Sequence, residues 1–168
     1  CMRMWKALSC PFSLIMEYNA ERREIITDRE IGELDKFVMK FLQILEKYTD
    51  YVIISGYVSI LLGRPRTTDD IDVFIKPINK GIFLKLYNEL KRSGFWCLNA
   101  EDGNEIFDYL KDGYSIRFAR TNYGTPNFEV KFPKDALDEE TFDNFLTVIH
   151  PKFKIKISSL ERQIAFKR

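Results

Sequence analysis

Asp70 and Asp72 stand inside "DIDVFI", a run whose other residues are apolar. On a strand, residues two apart share a face. The two carboxylates therefore aim at one point, while Ile71 and Val73 turn towards a core. Like charges this close repel, and one takes up a proton unless a cation sits between them. A divalent metal meets that need. Hard carboxylate oxygens suit Mg²⁺, which keeps coordination positions open for water and for phosphate oxygens. A D-x-D pair alone is also an ordinary surface pattern, so the chemistry has to rest on its surroundings.

Those surroundings are suggestive. Upstream, "YVIIS" (Tyr51 to Ser55) predicts a buried strand that runs into Ser55-Gly56 and then a short helix, with Gly63 as its end signal. A strand-to-helix turn presents backbone N–H groups, a device that binds phosphate, and Gly56 lets the backbone come close to a ligand. The same turn also occurs without any ligand, and the G-x-x-x-x-G-K-[ST] spacing of a P-loop is absent. Arg64 and Arg66 lie in the "RPRTT" loop that follows, where they could neutralise a triphosphate or simply form a solvated basic loop.

Taken together, "SGYVSILLGRPRTTDDIDVFI" resembles the nucleotidyltransferase superfamily, the DNA polymerase β-like fold, and is most similar to its small prokaryotic minimal and antitoxin-type members. That family's signature is a hydrophobic residue, Gly, Gly or Ser, a gap of about a dozen residues, and then acid-hydrophobic-acid. The chain departs from it at Ser55-Gly56-Tyr57: either Ser55 replaces the first Gly, or Tyr57 replaces the Ser and removes a phosphate donor. The resemblance implies a third carboxylate on a neighbouring strand, for which the candidate is Glu129 in "NFEVKF". Glu129 alternates with Phe128 and Val130 and shares a face with Lys131, so an exposed cross-strand ion pair is the competing reading. Arg117, on the adjoining strand, is a second candidate for the site.

What the resemblance implies is concrete. Asp70, Asp72 and Glu129 would hold two Mg²⁺ ions; Ser55, Gly56, Tyr57, Arg64 and Arg66 would bind an NTP such as ATP. A hydroxyl would attack the α-phosphate and release pyrophosphate. The acceptor hydroxyl would belong to a partner protein, a nucleic acid or a small molecule. The alternative is a catalytically degenerate module of the same fold that regulates a partner protein, as in a toxin–antitoxin pair. A D-x-D glycosyltransferase would need a larger nucleotide-binding domain.

Bulk properties set limits on these readings. A length of 168 residues predicts a single domain, and 45% hydrophobic residues are enough to bury a full core. Lys and Arg (26) nearly balance Asp and Glu (25), so a nucleic-acid partner is not demanded, although a local basic patch is compatible with one. Cys1, Cys10 and Cys97 are far apart and His150 is the only histidine, which argues against a Cys/His zinc site and for a reducing compartment such as the cytoplasm. No stretch reaches the length of a membrane-spanning helix.

The elements that must position the acids follow from patterning. The expected class is α/β or α+β, a nucleotidyltransferase-type mixed sheet flanked by helices, with a core over about 28–132. Residues 11–26 suggest a hairpin. Thr27 and Glu30 form a capping-box pattern ahead of Ile31, Leu34, Val38, Phe41, Leu42 and Leu45 at helical spacing. Helices are also expected over 80–93, 104–112 and 135–146. "FWCLN" reads as a short strand, and "YSIRFAR" and "NFEVKF" as neighbouring strands. "KFKIKI" (Lys152 to Ile157) alternates like an exposed, lysine-protected edge strand whose Lys154 and Lys156 could instead bind phosphate. Trp96 and Phe118 are expected in the core. Ser158 and Glu161 open a last helix that looks cut short, so the natural chain is expected to continue.

Overall fold

The computed structural model describes residues 15–64, 67–159 and 161. Helices and strands mix as expected, in an α+β arrangement built on one nine-stranded mixed sheet. The first two strands, β1 (Met16–Asn19) and β2 (Glu24–Thr27), form the expected hairpin. Helix α1 (Glu33–Leu45) leads to β3 (Tyr51–Ile54), and helix α2 (Gly56–Leu61) to β4 (Asp70–Ile75). Helix α3 (Lys80–Arg92), β5 (Phe95–Cys97), helix α4 (Gly103–Lys111), β6 (Ile116–Arg120) and β7 (Asn127–Lys131) follow. A one-turn helix α5 (Ala136–Glu139) precedes β8 (Leu146–His150) and β9 (Phe153–Ile157). Across the sheet the order is β1-β2-β8-β9-β3-β4-β7-β6-β5.

One sheet face is packed by aromatic side chains. Phe37 and Phe41 sit on the same face of α1, four residues apart, and meet Phe95, Phe118 and Phe128 from three strands. Phe41 stacks on Phe128 with ring centroids 3.9 Å apart. Ile71, Val73 and Val130 turn to this same core, so their strand neighbours Asp70, Asp72 and Glu129 must point the other way. Strand alternation thus delivers the acids to the opposite face.

Four expectations are corrected. Helix α1 starts at Glu33, with Gly32 as its N-cap; Thr27 instead closes β2, where it pairs with Met16. The side chain of Asp35 accepts the Gly32 N–H at 2.8 Å, which supplies the cap that the Thr27–Glu30 pattern had suggested five residues earlier. Over 135–146 only α5 and a 3₁₀ turn (Glu140–Phe142) are helical, because Thr147, Val148 and Ile149 favour the strand β8 immediately after. Strand β9 is interior rather than an edge: β8 covers one side and β3 the other. Trp96 is 39% exposed on the acid face, whereas Phe118 is buried as expected. Most of the expected final helix lies outside the described residues, as do Cys1 and Cys10. No helix among the described residues is long and apolar enough to cross a membrane.

Candidate functional site

Strands β4 and β7 run parallel and in register, pairing Asp70 with Asn127 and Asp72 with Glu129. Partners directly opposite in a sheet share a face. The D-x-D of β4 therefore lies flush against an N-x-E on β7, so the third expected acid stands beside the second. Strand β6 adds Arg117 opposite Glu129, and their side chains form an ion pair.

Asp72 and Glu129 stand side by side on paired strands, close enough for their carboxyls to influence each other's titration. Burial pushes the Asp72 carboxyl up to about 6, the adjacent Glu129 pushes the same way, and Lys131 and the Ser55 hydroxyl pull against them. Glu129 is held below the usual carboxylate range by the hydrogen bond from Asp72 and then by Arg117. The two carboxyls titrate as a pair, with burial and the neighbouring carboxylate raising Asp72, and Asp72 and then Arg117 lowering Glu129.

Asp70 is held differently. Its Oδ1 accepts the Asn127 Nδ2–H at 2.9 Å, and the same amide group donates to the Gly124 carbonyl at 3.2 Å. Asn127 is 3% exposed, and its Oδ1 is buried with no hydrogen-bond partner among the described residues. Sequence reading missed Asn127. The signal was its place two residues before Glu129, on the same strand face.

The small-residue turn does face the acids. Ser55 takes φ 66° and ψ −143°, a backbone region that belongs to glycine, while its hydroxyl bonds Asp72. This conformation puts Ser55, rather than Gly56, in the strained place of the turn. Two substitutions separate strain from hydrogen bonding. Ser55→Ala and Ser55→Gly both lose the hydroxyl, but only Gly relaxes the backbone. After the entropy that Gly costs, the Gly variant should be more stable than the Ala variant by about 1 kcal/mol in urea unfolding. In both, a carboxyl NMR titration should find Asp72 above its value in the parent protein, because a hydrogen bond that lowers it has gone. Equal stabilities would show that the turn is unstrained.

Tyr57 is placed elsewhere. Its ring is fully buried and its hydroxyl donates to Asp35 at 2.6 Å, so the side chain anchors α2 to α1 and does not reach a ligand on the acid face. Asp35 also accepts from Arg29, at 3.0 Å for the Nη1 contact. Burial works to raise the Asp35 carboxyl, but the hydrogen bonds from Arg29, Tyr57 and Gly32 outweigh it and leave it below the usual range. Gly56 opens α2 as expected. Arg64 is exposed just past the end of α2, its backbone N–H bonded to the Ser59 carbonyl. Arg66 lies outside the described residues.

The three acids are not equally close. Among the described residues, no group of three or more His, Cys, Asp or Glu side chains is gathered tightly enough to hold a metal ion. Asp72 and Glu129 meet, while Asp70 is tied to Asn127. No protein-family model matches this chain. No curated protein matches it either.

On the helical side of the sheet, across from the acid face, opens a cavity of about 580 Å³, lined by Leu34, Phe37, Ile60, Thr68, Asp69 and Pro126. It comes within one residue of Asp70. The other candidate phosphate binders, Lys154 and Lys156, lie on β9, two strands from β4; Lys156 is paired with Asp50 at 3.8 Å and sits over the Phe145 ring.

Proposed function

We propose that this protein is a nucleotidyltransferase that moves a nucleoside monophosphate from an NTP to a hydroxyl acceptor. The observation that carries the proposal is the in-register pairing of Asp70-x-Asp72 with Asn127-x-Glu129, facing a glycine-type turn whose Ser55 hydroxyl bonds Asp72. The donor set suits Mg²⁺: the oxygens are hard, and the pairing of Asp72 with Glu129 brings like charges together where a cation is favoured. Asp70, Asp72 and Glu129 would be its ligands, and when bound it would neutralise the triphosphate and make the attacking hydroxyl more acidic. The chain's own residues then position the reactants. Asn127 holds Asp70, Ser55 holds Asp72, and the turn at Ser55-Gly56 offers backbone N–H groups to phosphate. The acceptor oxygen forms a bond to the α-phosphorus, the bond to the departing pyrophosphate breaks, and the acceptor's proton goes to solvent.

A second reading has its own observation. Arg117 already neutralises Glu129, and the three acids do not form a closed ligand group among the described residues. This arrangement fits a module that has kept the fold but regulates a partner protein without transfer. The deciding experiment incubates the protein with each α-labelled NTP, Mg²⁺ and cell extract. A labelled acceptor, lost with EDTA, supports the transferase. Tight binding of a partner protein with no label under any NTP supports the regulatory module and rejects the enzyme.

A further inference from the structure

Trp96 is the large aromatic side chain that the acid face leaves in solvent. Its strand neighbours Phe95 and Cys97 turn to the core, so the indole must project on the other side of β5. Register then places it. Trp96 pairs with Ala119, Ala119 with Asn127, and Asn127 with Asp70. One row of the sheet therefore runs from the indole to the first acid, three strand spacings or about 14 Å between backbones.

The ring is held rather than loose. Its Nε1–H donates to the Tyr123 carbonyl at 2.8 Å, and Asn127 binds the next carbonyl, that of Gly124. The loop between β6 and β7 thus braces the indole and Asp70 together. Over that loop there is room: a Cβ built on Gly124 would meet no atom within 4 Å. The next row carries Leu98, 38% exposed, and then Arg117 beside Glu129. An apolar ring with a fixed edge, an apolar neighbour and a cation nearer the acids match a nucleoside phosphate end to end. Aromatic faces stack bases, and cations draw the phosphates.

We infer that Trp96 is the platform on which the nucleobase of the NTP stacks, with the row through Ala119 and Asn127 spanned by the sugar and α-phosphate. This rests on the nucleotidyltransferase reading and specifies its nucleotide subsite. Trp96 and Trp5 are the chain's two tryptophans, so a Trp5→Phe protein reports Trp96 alone.

In that protein, ATP, GTP, CTP and UTP are titrated with Mg²⁺ while Trp96 emission is followed, and inorganic tripolyphosphate serves as a probe with no base. At least one NTP should quench the emission saturably, whereas tripolyphosphate should bind without quenching. Trp96→Ala, made in the otherwise natural chain and checked for folding by its melting curve, should weaken that NTP roughly tenfold. The same change should leave tripolyphosphate binding unaltered, and Trp96→Phe should restore most of the NTP affinity. NTP binding seen by calorimetry, with no quench and no loss in Trp96→Ala, would overturn the platform and leave the transferase standing. Failure of NTPs and tripolyphosphate alike to bind would remove both.

Discussion

Asp72→Asn should reduce the proposed nucleotidyl transfer by about a thousandfold or more, the order expected wherever a centrally placed charge is removed from a site that transfers phosphoryl groups. The amide cannot offer two anionic oxygens, yet it keeps the size of the side chain. The fold should therefore survive. The same substitution makes a stability prediction with a sign. In metal-free protein, Asp72 has its folded value raised to about 6, so it binds its proton more tightly folded than unfolded. Its contribution is fully favourable below the unfolded value of about 3.9 and is lost as pH rises through the folded one. Metal-free parent protein should thus become less stable between pH 5 and pH 8. Asp72→Asn should lack that decline and be more stable at pH 8 by about 1 kcal/mol, allowing for the solvent that screens a half-buried group. Urea titrations in EDTA at the two pH values measure it, and labelled-NTP assays measure transfer. Undiminished transfer in Asp72→Asn would refute the assignment.

The second large effect concerns stability and lies behind the site. Asp35 is 3% exposed and joins Arg29, the Gly32 cap and the Tyr57 hydroxyl, tying the start of α1 to α2. Asp35→Ala leaves the Arg29 guanidinium largely buried without its counter-charge, a change that costs about 3–5 kcal/mol. Against total stabilities of about 5–15 kcal/mol for ordinary domains, that is a severe loss. Tyr57→Phe removes one hydrogen bond to a charged acceptor and should cost about 1.5–3 kcal/mol. Because both act through one cluster, the double variant should lose less than the two single losses added together. The pH sign is opposite to that of Asp72. Asp35 lies below its unfolded value, so its contribution is present above about pH 4 and fades as pH falls through the folded value. The parent protein should lose stability in acid faster than Asp35→Asn does. An Asp35→Ala protein that unfolds within 1 kcal/mol of the parent would show that the cluster is not a structural tie.

Tyr57 also shows where local reading stops. In one dimension it sits in the turn that resembles a phosphate-binding motif, and its type is compatible with a ligand contact. Only the packing of α2 on α1 turns its ring inward to Asp35. Trp96 is the converse case: flanked by Phe95 and Cys97, it reads as core, and only its place on the last strand of the sheet leaves it in solvent. The strand "KFKIKI" alternates correctly but was read as an edge, because edge or interior depends on whether β8 lies beside it. That partner, Leu146–His150, begins only at the last residue of the segment expected to be helical, and no strand was expected there.

What the sequence determined by itself is whatever depends on neighbours a few residues away. Alternation in "DIDVFI" and "NFEVKF" decides which side chains share a face; helical spacing from Leu34 to Leu45 decides which side of α1 is apolar; a hairpin, expected within 11–26 and found at 16–27, follows from two short runs around a polar turn. These are consequences of backbone periodicity and need no partner. Tertiary structure alone decided what depends on register between distant strands: that Asp72 stands opposite Glu129, that Asn127 grips Asp70, that Arg117 competes for Glu129, and that Trp96 ends the row that begins at Asp70. Those pairings are selected by the shared burial of Phe128, Phe118 and Phe95 beneath α1. A shift of one residue would turn that apolar set towards solvent, and no local pattern records which distant strand supplies the match.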